Sequence, residues 1–583
     1  MNVFSIVTLL GGLAFFLYGM NVMSEGLEKI AGGKLEAILK KMTSNRFKAL
    51  LLGIVVTATI QSSSAVTVIL VGLVNSGIMH FGRTIGVIMG ANIGTTVTAW
   101  LLSTIGIEGD NLFVQLLKPE NFSLIFALIG ILLIMMAKST RKKDIGSVLI
   151  GFAVLMLGME LMSGAVEPLK DMPQFTNILL MFENPVFGIL AGAVLTGIIQ
   201  SSSASVGILQ ALSMTGAVNF SVALPIIMGQ NIGTCVTALI SSIGVSKNAR
   251  KVSVVHISFN LIGTLIWVIA FYSINAVVDF AFFDKPIDPF GIAVVHSIFN
   301  LTTSGILIFF TKQIEKLANF IIRTDENEVA KNTEFLDSRL LATPSVAINE
   351  CKSLTYKMAQ VAEDIIRRSF TLFDKYDEDV EAKMFEDENA LDLYEDKLGN
   401  YLIAISSKGL SDEDSRSKFT MLHTIGDFER LGDHALNLLK AAKELETKGL
   451  SFTEEASKDL LVLRRAAEEI IGITIDAYVN GDILSAVKVE PLEQVIDGLT
   501  AEIKAKHIDR LQRGECTIEM GFILSDILTN YERISDHCSN IAVAMIEIHH
   551  GGFDTHKYLN SIKNSNNIEF NKSFDEYAQK YSL

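Results

Sequence analysis

Gln61-Ser62-Ser63-Ser64-Ala65 lies inside a hydrophobic run, and the same five residues return as Gln200-Ser201-Ser202-Ser203-Ala204. The offset of 139 residues holds without a gap over a long stretch. Upstream, Gly12, Gly19, Met20, Met23, Ser24 and Glu28 correspond to Gly151, Gly158, Met159, Met162, Ser163 and Glu167. Downstream, Gly90, Asn92, Ile93, Gly94, Thr95 and Thr98 correspond to Gly229, Asn231, Ile232, Gly233, Thr234 and Thr237. Two copies of a membrane unit, each with a polar break, are a known way of building a site at the bilayer midplane.

Around these copies the 583 residues divide sharply in charge. Residues 1–323 hold 20 Lys and Arg against 15 Asp and Glu, and the remainder holds 29 against 49. Apolar runs of about 18 residues or more recur in the first part between short polar loops, which makes it a polytopic membrane domain. The second part is charged, helical in pattern and soluble. Its acidity excludes nucleic-acid binding, which needs a basic footprint. An enzyme is disfavoured, since no nucleophile–base motif, Walker loop or His-rich metal motif occurs. Cys235, Cys351, Cys516 and Cys538 form no spaced framework, which points to a reducing location for the soluble part. Met1–Met20 lacks a basic n-region and reads as a retained first span.

Loop charge sets the expected topology. Segments 29–48, 138–143 and 247–251 are basic and should face the cytoplasm, whereas 106–121, 165–185 and 279–289 carry acids and few bases. If 47–75 crossed the membrane completely, Arg141, Lys142 and Lys143 would fall outside. If it enters, breaks at Gln61–Ser64 and returns, every basic loop falls inside. The expected order is a span near 3–22, a re-entrant hairpin 47–75, and spans near 84–103 and 122–137. A second copy follows, with a span near 144–163, hairpin 186–216 and spans near 221–243 and 252–276. A last span near 290–311 delivers the chain to the cytoplasm. Three full spans separate corresponding points, so the copies (about 3–137 and 144–276) form an inverted repeat with the N-terminus outside. Irregular backbone at membrane depth must border protein or a wet cavity.

At each break Ser62–Ser64 and Ser201–Ser203 stand where N-caps are wanted. A helix start offers unpaired N–H groups and a positive dipole end, which suits a small oxyanion such as phosphate. Half-helix carbonyls and the neutral oxygens of Gln61, Thr57, Asn92, Thr95, Gln200, Thr196, Asn231 and Thr234 suit Na⁺. Ser and Thr in membrane helices also bond to neighbouring helices, and Gly-Thr pairs allow close packing, so each position has a purely structural alternative. Val255-His256-x-x-Phe259-Asn260-Leu261 and Val295-His296-x-x-Phe299-Asn300-Leu301 put His and Asn on one helix face, where interhelical bonding is the leading reading.

The paired QSSSA segments, with Gly90-Ala91-Asn92-Ile93-Gly94-Thr95 and Gly229-Gln230-Asn231-Ile232-Gly233-Thr234, resemble the type II Na⁺/phosphate cotransporter family over about residues 1–320. The resemblance implies sodium-driven uptake of inorganic phosphate by alternating access. Phosphate would meet Gln61, Ser62, Ser63, Ser64, Gln200, Ser201, Ser202, Ser203, Asn92 and Asn231. Sodium would meet Gln61, Ser64, Thr95, Gln200, Ser203 and Thr234. Cys235 stands where the first copy has Thr96, so the copies are not expected to supply identical ligands there.

Residues 324–345 are polar, close with Thr343-Pro344 and read as a linker. The following region also repeats. Asp427-Phe428-Glu429-Arg430-Leu431-Gly432-Asp433-His434 is matched 103 residues later by Asn530-Tyr531-Glu532-Arg533-Ile534-Ser535-Asp536-His537, and Glu388/Asp392 by Glu493/Asp497 after 105. Two three-helix units forming a six-helix bundle over 346–550 are expected. Glu and Asp four residues apart on a helix repel, so a metal, Arg430 and Arg533, or solvent must compensate. The pattern resembles a PhoU-like domain, which implies divalent or iron ions at Glu388, Asp392, Glu429, Asp433, Glu493, Asp497, Glu532 and Asp536. Residues 551–583 read as a loosely ordered polar tail.

The whole reading is an all-α, multi-pass protein of the plasma (inner) membrane with a regulatory cytoplasmic domain. Expected partners are inorganic phosphate, Na⁺ and the lipid bilayer, with a homo-oligomer or a cytoplasmic regulator as further candidates. The alternatives are a membrane-anchored phosphate sensor and a channel or transporter for another oxyanion.

Overall fold

The computed structural model describes residues 3–31, 45–75, 79–104, 119–168, 172, 178–323, 336–405, 410–549 and 568–583. Much of loops 29–48, 106–121 and 165–185 lies outside the described residues, as do 324–335 and 551–567. The described residues are helical, with one isolated bridge between Asn219 and Pro286. They form two units, 1–346 and 347–583.

In the first unit the helices are α1 (Val3–Ala31), α2 (Arg46–Ile60), α3 (Ser63–Asn75), α4 (Phe81–Ser103), α5 (Pro119–Met136) and α6 (Thr140–Val166). They continue as α7 (Pro185–Ile199), α8 (Ser202–Ser213), α9 (Phe220–Gly233), α10 (Cys235–Ser241), α11 (Lys247–Val278), α12 (Pro289–Leu307) and α13 (Thr311–Ile321). Their starts carry the expected caps. Asn184 and Asp288 cap α7 and α12, each with Pro at the first turn, where a missing N–H costs nothing. Six helices among the described residues are long and apolar enough to cross a membrane. At 18 residues α5, expected as a seventh span, is shorter than these.

Glycines decide which helices touch. A Cβ on Gly12 would lie 2.9 Å from Gly158 O, and one on Gly19 would lie 2.6 Å from Gly151 O. The order reverses along the contact, so α1 and α6 run antiparallel with backbones in direct contact. Inside each copy the pattern is parallel. A Cβ on Gly90 would lie 2.0 Å from Leu50 O, and one on Gly229 would lie 2.0 Å from Ile189 O. Donor and partner both shift by 139, so α2 packs on α4 as α7 packs on α9. Apolar side chains complete the interior. One cluster gathers Phe16, Met23, Leu155, Met159 and Ala204 between α1, α6 and α8.

The second unit holds α14 (Pro344–Thr371), α15 (Glu378–Ile405), α16 (Asp412–Lys448), α17 (Glu454–Asn480), α18 (Val489–Gln512) and α19 (Ile518–His549). Two helices at its centre, α16 and α19, meet antiparallel. His434 Nδ1 lies 2.9 Å from Asn530 Oδ1, and His537 Nδ1 lies 2.9 Å from Asp427 Oδ1. These four residues are two repeat pairs that have exchanged partners, and the two imidazoles stack with centroids 5.4 Å apart.

Two expectations fail here. The C-terminal stretch is not a loose tail throughout, because residues Ile568–Lys580 form helix α20. Lys580 binds Glu469 at 2.7 Å, and Tyr581 is buried with its hydroxyl on the same carboxylate. An aromatic side chain and an ion pair against α17 offset the entropy of ordering this segment. Likewise, 336–343 is not open linker. Ser338–Ala342 forms a 3₁₀ turn with Leu340 fully buried.

Candidate functional site

α2 ends because Gln61 adopts a left-handed backbone conformation, φ 59° and ψ 21°, and α7 ends the same way at Gln200, φ 59° and ψ 22°. This region is unfavourable for a residue with a Cβ. Each Gln N–H still closes the last turn, on Thr57 O and Thr196 O, both at 2.7 Å. The chain then restarts. Ser62 Oγ accepts from Ala65 N at 3.1 Å, and Ser201 Oγ accepts from Ala204 N at 3.2 Å. The first serine of each triplet is therefore the N-cap. The second and third begin α3 and α8, where backbone N–H groups have no partner within the helix.

Both breaks open on one cavity of about 420 Å³. Its wall includes Gln61, Ser62, Ser63 and Ser64 from the first copy and Gln200, Ser201, Ser202 and Ser203 from the second. All eight motif residues thus come together from positions 139 apart. The third side of the cavity is α1, which contributes Leu17, Met20, Asn21, Ser24, Glu25 and Glu28. Asn21 Nδ2 donates to Glu25 Oε1 at 2.9 Å. Sequence reasoning did not assign these α1 residues to the site. The signal available was the repeat, which pairs Met20, Ser24 and Glu28 with Met159, Ser163 and Glu167, and of these pairs the first-copy members line the cavity. Two carboxylates beside two helix starts give the cavity both polarities, so it can accommodate an anion and cations together.

Other expected ligands do not reach this wall. Asn92 Nδ2 donates to Ile88 O and Asn231 Nδ2 to Ile227 O, both at 2.9 Å. Thr95 and Thr234 hydroxyls donate to Ala91 O and Gln230 O, both at 3.0 Å. All four side chains bond one turn back within their own helices, so the copies agree, and none of the four lines the cavity. Thr57 and Thr196 behave differently. Both are fully buried, and neither Oγ1 has a hydrogen-bond partner among the described residues.

The copies also differ. Thr98 Oγ1 donates to Gln61 Oε1 at 2.8 Å, and Gln61 is buried. The equivalent Gln200 is exposed, and Thr237 Oγ1 is buried without a partner among the described residues. His256 and His296 are buried, and Asn260 bridges helices by donating to Cys235 Sγ at 3.3 Å. Asn300 bonds only one turn back, to His296 O at 3.0 Å.

In the second unit, oxygens of Glu493, Asp497 and Asp536 lie within 4.8 Å of one another. Glu532 turns instead to Lys504 at 3.5 Å. Burial pushes the Asp536 carboxyl up, Arg533 opposes this, and Glu532 adds to it. In the first repeat Glu388 is raised by burial and then by Asp392 and Asp433. Glu429 is raised by burial and Asp433, against Arg430. Arg430 also pairs with Asp433 at 3.2 Å, so solvent and arginine share the compensation there.

Residues 15–164 and 170–283 match the family described as Na⁺/Pi-cotransporter, and residues 355–442 and 460–545 match the PhoU domain. The chain belongs to the Na⁺/Pi-cotransporter family. YqeW of Bacillus subtilis (strain 168) is 31% identical over 311 residues, covering 53% of this chain and 96% of its own length. The "Putative inorganic phosphate export protein YjbB" of Escherichia coli (strain K12) is 24% identical over 557 residues, 93% of this chain and 98% of its own. The sodium-dependent phosphate transport protein 2A of Rattus norvegicus is 41% identical over 93 residues, 15% of this chain and 14% of its own. No solved structure matches the chain. A cotransporter family and several long apolar helices make this a multi-pass membrane protein concerned with phosphate transport.

Proposed function

We propose that the chain is a secondary active transporter that carries inorganic phosphate with Na⁺ by alternating access, regulated by its PhoU unit. The observation that carries this reading is the convergence of both Gln-Ser-Ser-Ser breaks on one cavity. Phosphate is placed between the starts of α3 and α8, held by free backbone N–H groups and by Ser63, Ser64, Ser202 and Ser203. Sodium is placed at the neutral oxygens behind them, with Gln61, Ser64, Gln200 and Ser203 joined by the unpaired hydroxyls of Thr57 and Thr196. Asn92, Asn231, Thr95 and Thr234 take the supporting role of stiffening α4 and α9. Glu25 and Glu28 would repel a bare phosphate, so cation binding beside them favours loading both together.

The two halves are read as inverted repeats with re-entrant hairpins. Parallel packing of α2 on α4, with only 76–80 between α3 and α4, is met when α3 turns back beside α2. The exchanged pairs Gly12–Gly158 and Gly19–Gly151 are the contact a two-fold between inverted copies produces. Loop charges then put the N-terminus outside and the PhoU unit in the cytoplasm. Glu493, Asp497 and Asp536 offer hard oxygen ligands from two helices, and they fit a divalent cation.

An inward Na⁺ gradient drives this cotransport inward. Export is the second reading, favoured by the name of the YjbB relatives, which match along almost their whole length. Phosphate flux in proteoliposomes of known orientation, with the Na⁺ gradient imposed in either direction, separates the two. Uptake that follows the Na⁺ gradient supports symport. Flux indifferent to sodium removes the coupling, and efflux against an inward sodium gradient favours export.

A further inference from the structure

Residues 336–343 close over the foot of α3. Asn75, the last residue of that helix, donates from Nδ2 to Asp337 Oδ2 at 2.8 Å. Its Oδ1 accepts from the backbone N–H of Ser246, the cap of α11, also at 2.8 Å. Asp337 is fully buried, a costly position for a carboxylate unless its oxygens are engaged. The Arg339 guanidinium meets both oxygens at 3.1 and 3.0 Å, and the Arg339 N–H donates to Oδ1 at 2.9 Å. A second guanidinium nitrogen donates to Ile243 O at 2.8 Å. Leu340 completes the contact by packing on Gly72, where a Cβ would lie 2.6 Å from Leu340 Cδ2. At the equivalent place in the second copy stands Met214, which cannot make such bonds.

We propose that Asn75, Asp337 and Arg339 are positioning residues for transport. They pin the far end of α3 and thereby set where Ser63 and Ser64 stand in the cavity. A helix of 13 residues transmits such a hold as a rod. Thr343 is followed at once by Pro344, the first residue of α14, so 336–343 is continuous in sequence with the PhoU unit. The inference rests on the transport reading above.

The test uses the full chain in proteoliposomes. Asn75→Asp sets two carboxylates against each other, and the expected result is a KM for phosphate about tenfold higher. The exchange Asn75→Asp with Asp337→Asn restores an amide–carboxylate pair, keeps an acceptor for Ser246 N–H, and should return KM to within about twofold of wild type. A purely structural role would lower the amount of folded protein and leave the KM of the folded fraction unchanged. If Asn75→Asp does not fold, Asp337→Asn is measured in the same way, with KM expected to rise about threefold.

A second readout does not depend on the cargo. A Ser64→Cys reporter in a Cys516→Ser background is labelled with a water-soluble maleimide. Its rate should change about threefold or more with Asn75→Asp and recover in the exchange. Unchanged KM and labelling in a folded Asn75→Asp protein overturn the inference while leaving transport intact. Labelling that responds in a protein carrying no phosphate overturns the transport reading alone.

Discussion

Thr98 donates a hydrogen bond to Gln61 at 2.8 Å, whereas Thr237, its counterpart 139 residues later, makes none to Gln200. The two breaks have the same backbone but are secured differently. The first is latched from α4, and the second leaves its glutamine exposed.

That difference separates two otherwise equivalent substitutions. Thr98→Val removes a bond in use and strands Gln61 Oε1, and should cost about 1 to 2 kcal/mol of stability. Thr237→Val removes a hydroxyl without a partner and should be neutral or slightly stabilising. Thermal melts of the purified variants in detergent check the pair. An equal loss in both would contradict the asymmetry.

Thr57 and Thr196 test the sodium shell. Valine has nearly the same shape as threonine, and removing a buried unpaired hydroxyl should not destabilise the fold. A lost cation ligand should nevertheless raise the sodium concentration for half-maximal uptake by about tenfold, with a smaller change for phosphate. Sodium titration of phosphate flux in Thr57→Val and Thr196→Val measures this. A sodium dependence identical to wild type assigns both hydroxyls to packing.

Close backbone contact between α1 and α6 makes Gly19 and Gly158 intolerant of any side chain. A Cβ on Gly19 would lie 2.3 Å from Leu155 N, and one on Gly158 would lie 2.3 Å from Phe16 N. Either alanine substitution should cost about 3 kcal/mol or prevent folding. Gly11→Ala, with nothing within 4 Å of its Cβ, should be silent. Size-exclusion profiles after heating rank the three.

In the second unit, Glu388, Glu429 and Asp536 all have carboxyl pKa values raised, first by burial. A raised folded-state value means the folded unit holds protons that the unfolded chain releases. Its stability should therefore fall as pH rises from the ordinary carboxylate range through these values. A divalent cation held by Glu493, Asp497 and Asp536 competes with the proton at Asp536. Mg²⁺ or Mn²⁺ should thus raise the unit's melting temperature more at pH 7 than at pH 5. Calorimetry of the full chain at both pH values reads the difference, and an Asp497→Asn variant should lose most of it.

Sequence alone determined the elements, because hydrophobic run length, a repeated offset and capping residues are local properties. The breaks at Gln61 and Gln200, the helices on either side of them and the helical acidic unit were legible from those signals. So was the expectation that Ser62 and Ser201 stand at helix starts, since capping involves residues only three apart.

Tertiary structure decided what those elements share. Nothing in the sequence of α1 marks Asn21 and Glu25 as cavity residues, since their position depends on α1 lying beside both breaks. Asn92 and Thr95 fit a ligand role by residue type and duplication, yet in the fold they bond Ile88 O and Ala91 O and do not line the cavity. Asp337 read as a polar linker residue, and only the approach of Asn75, 262 residues away, makes it a buried anchor. Side-chain chemistry limits what a residue can bind. Packing across distances of a hundred residues and more decides which partner it meets.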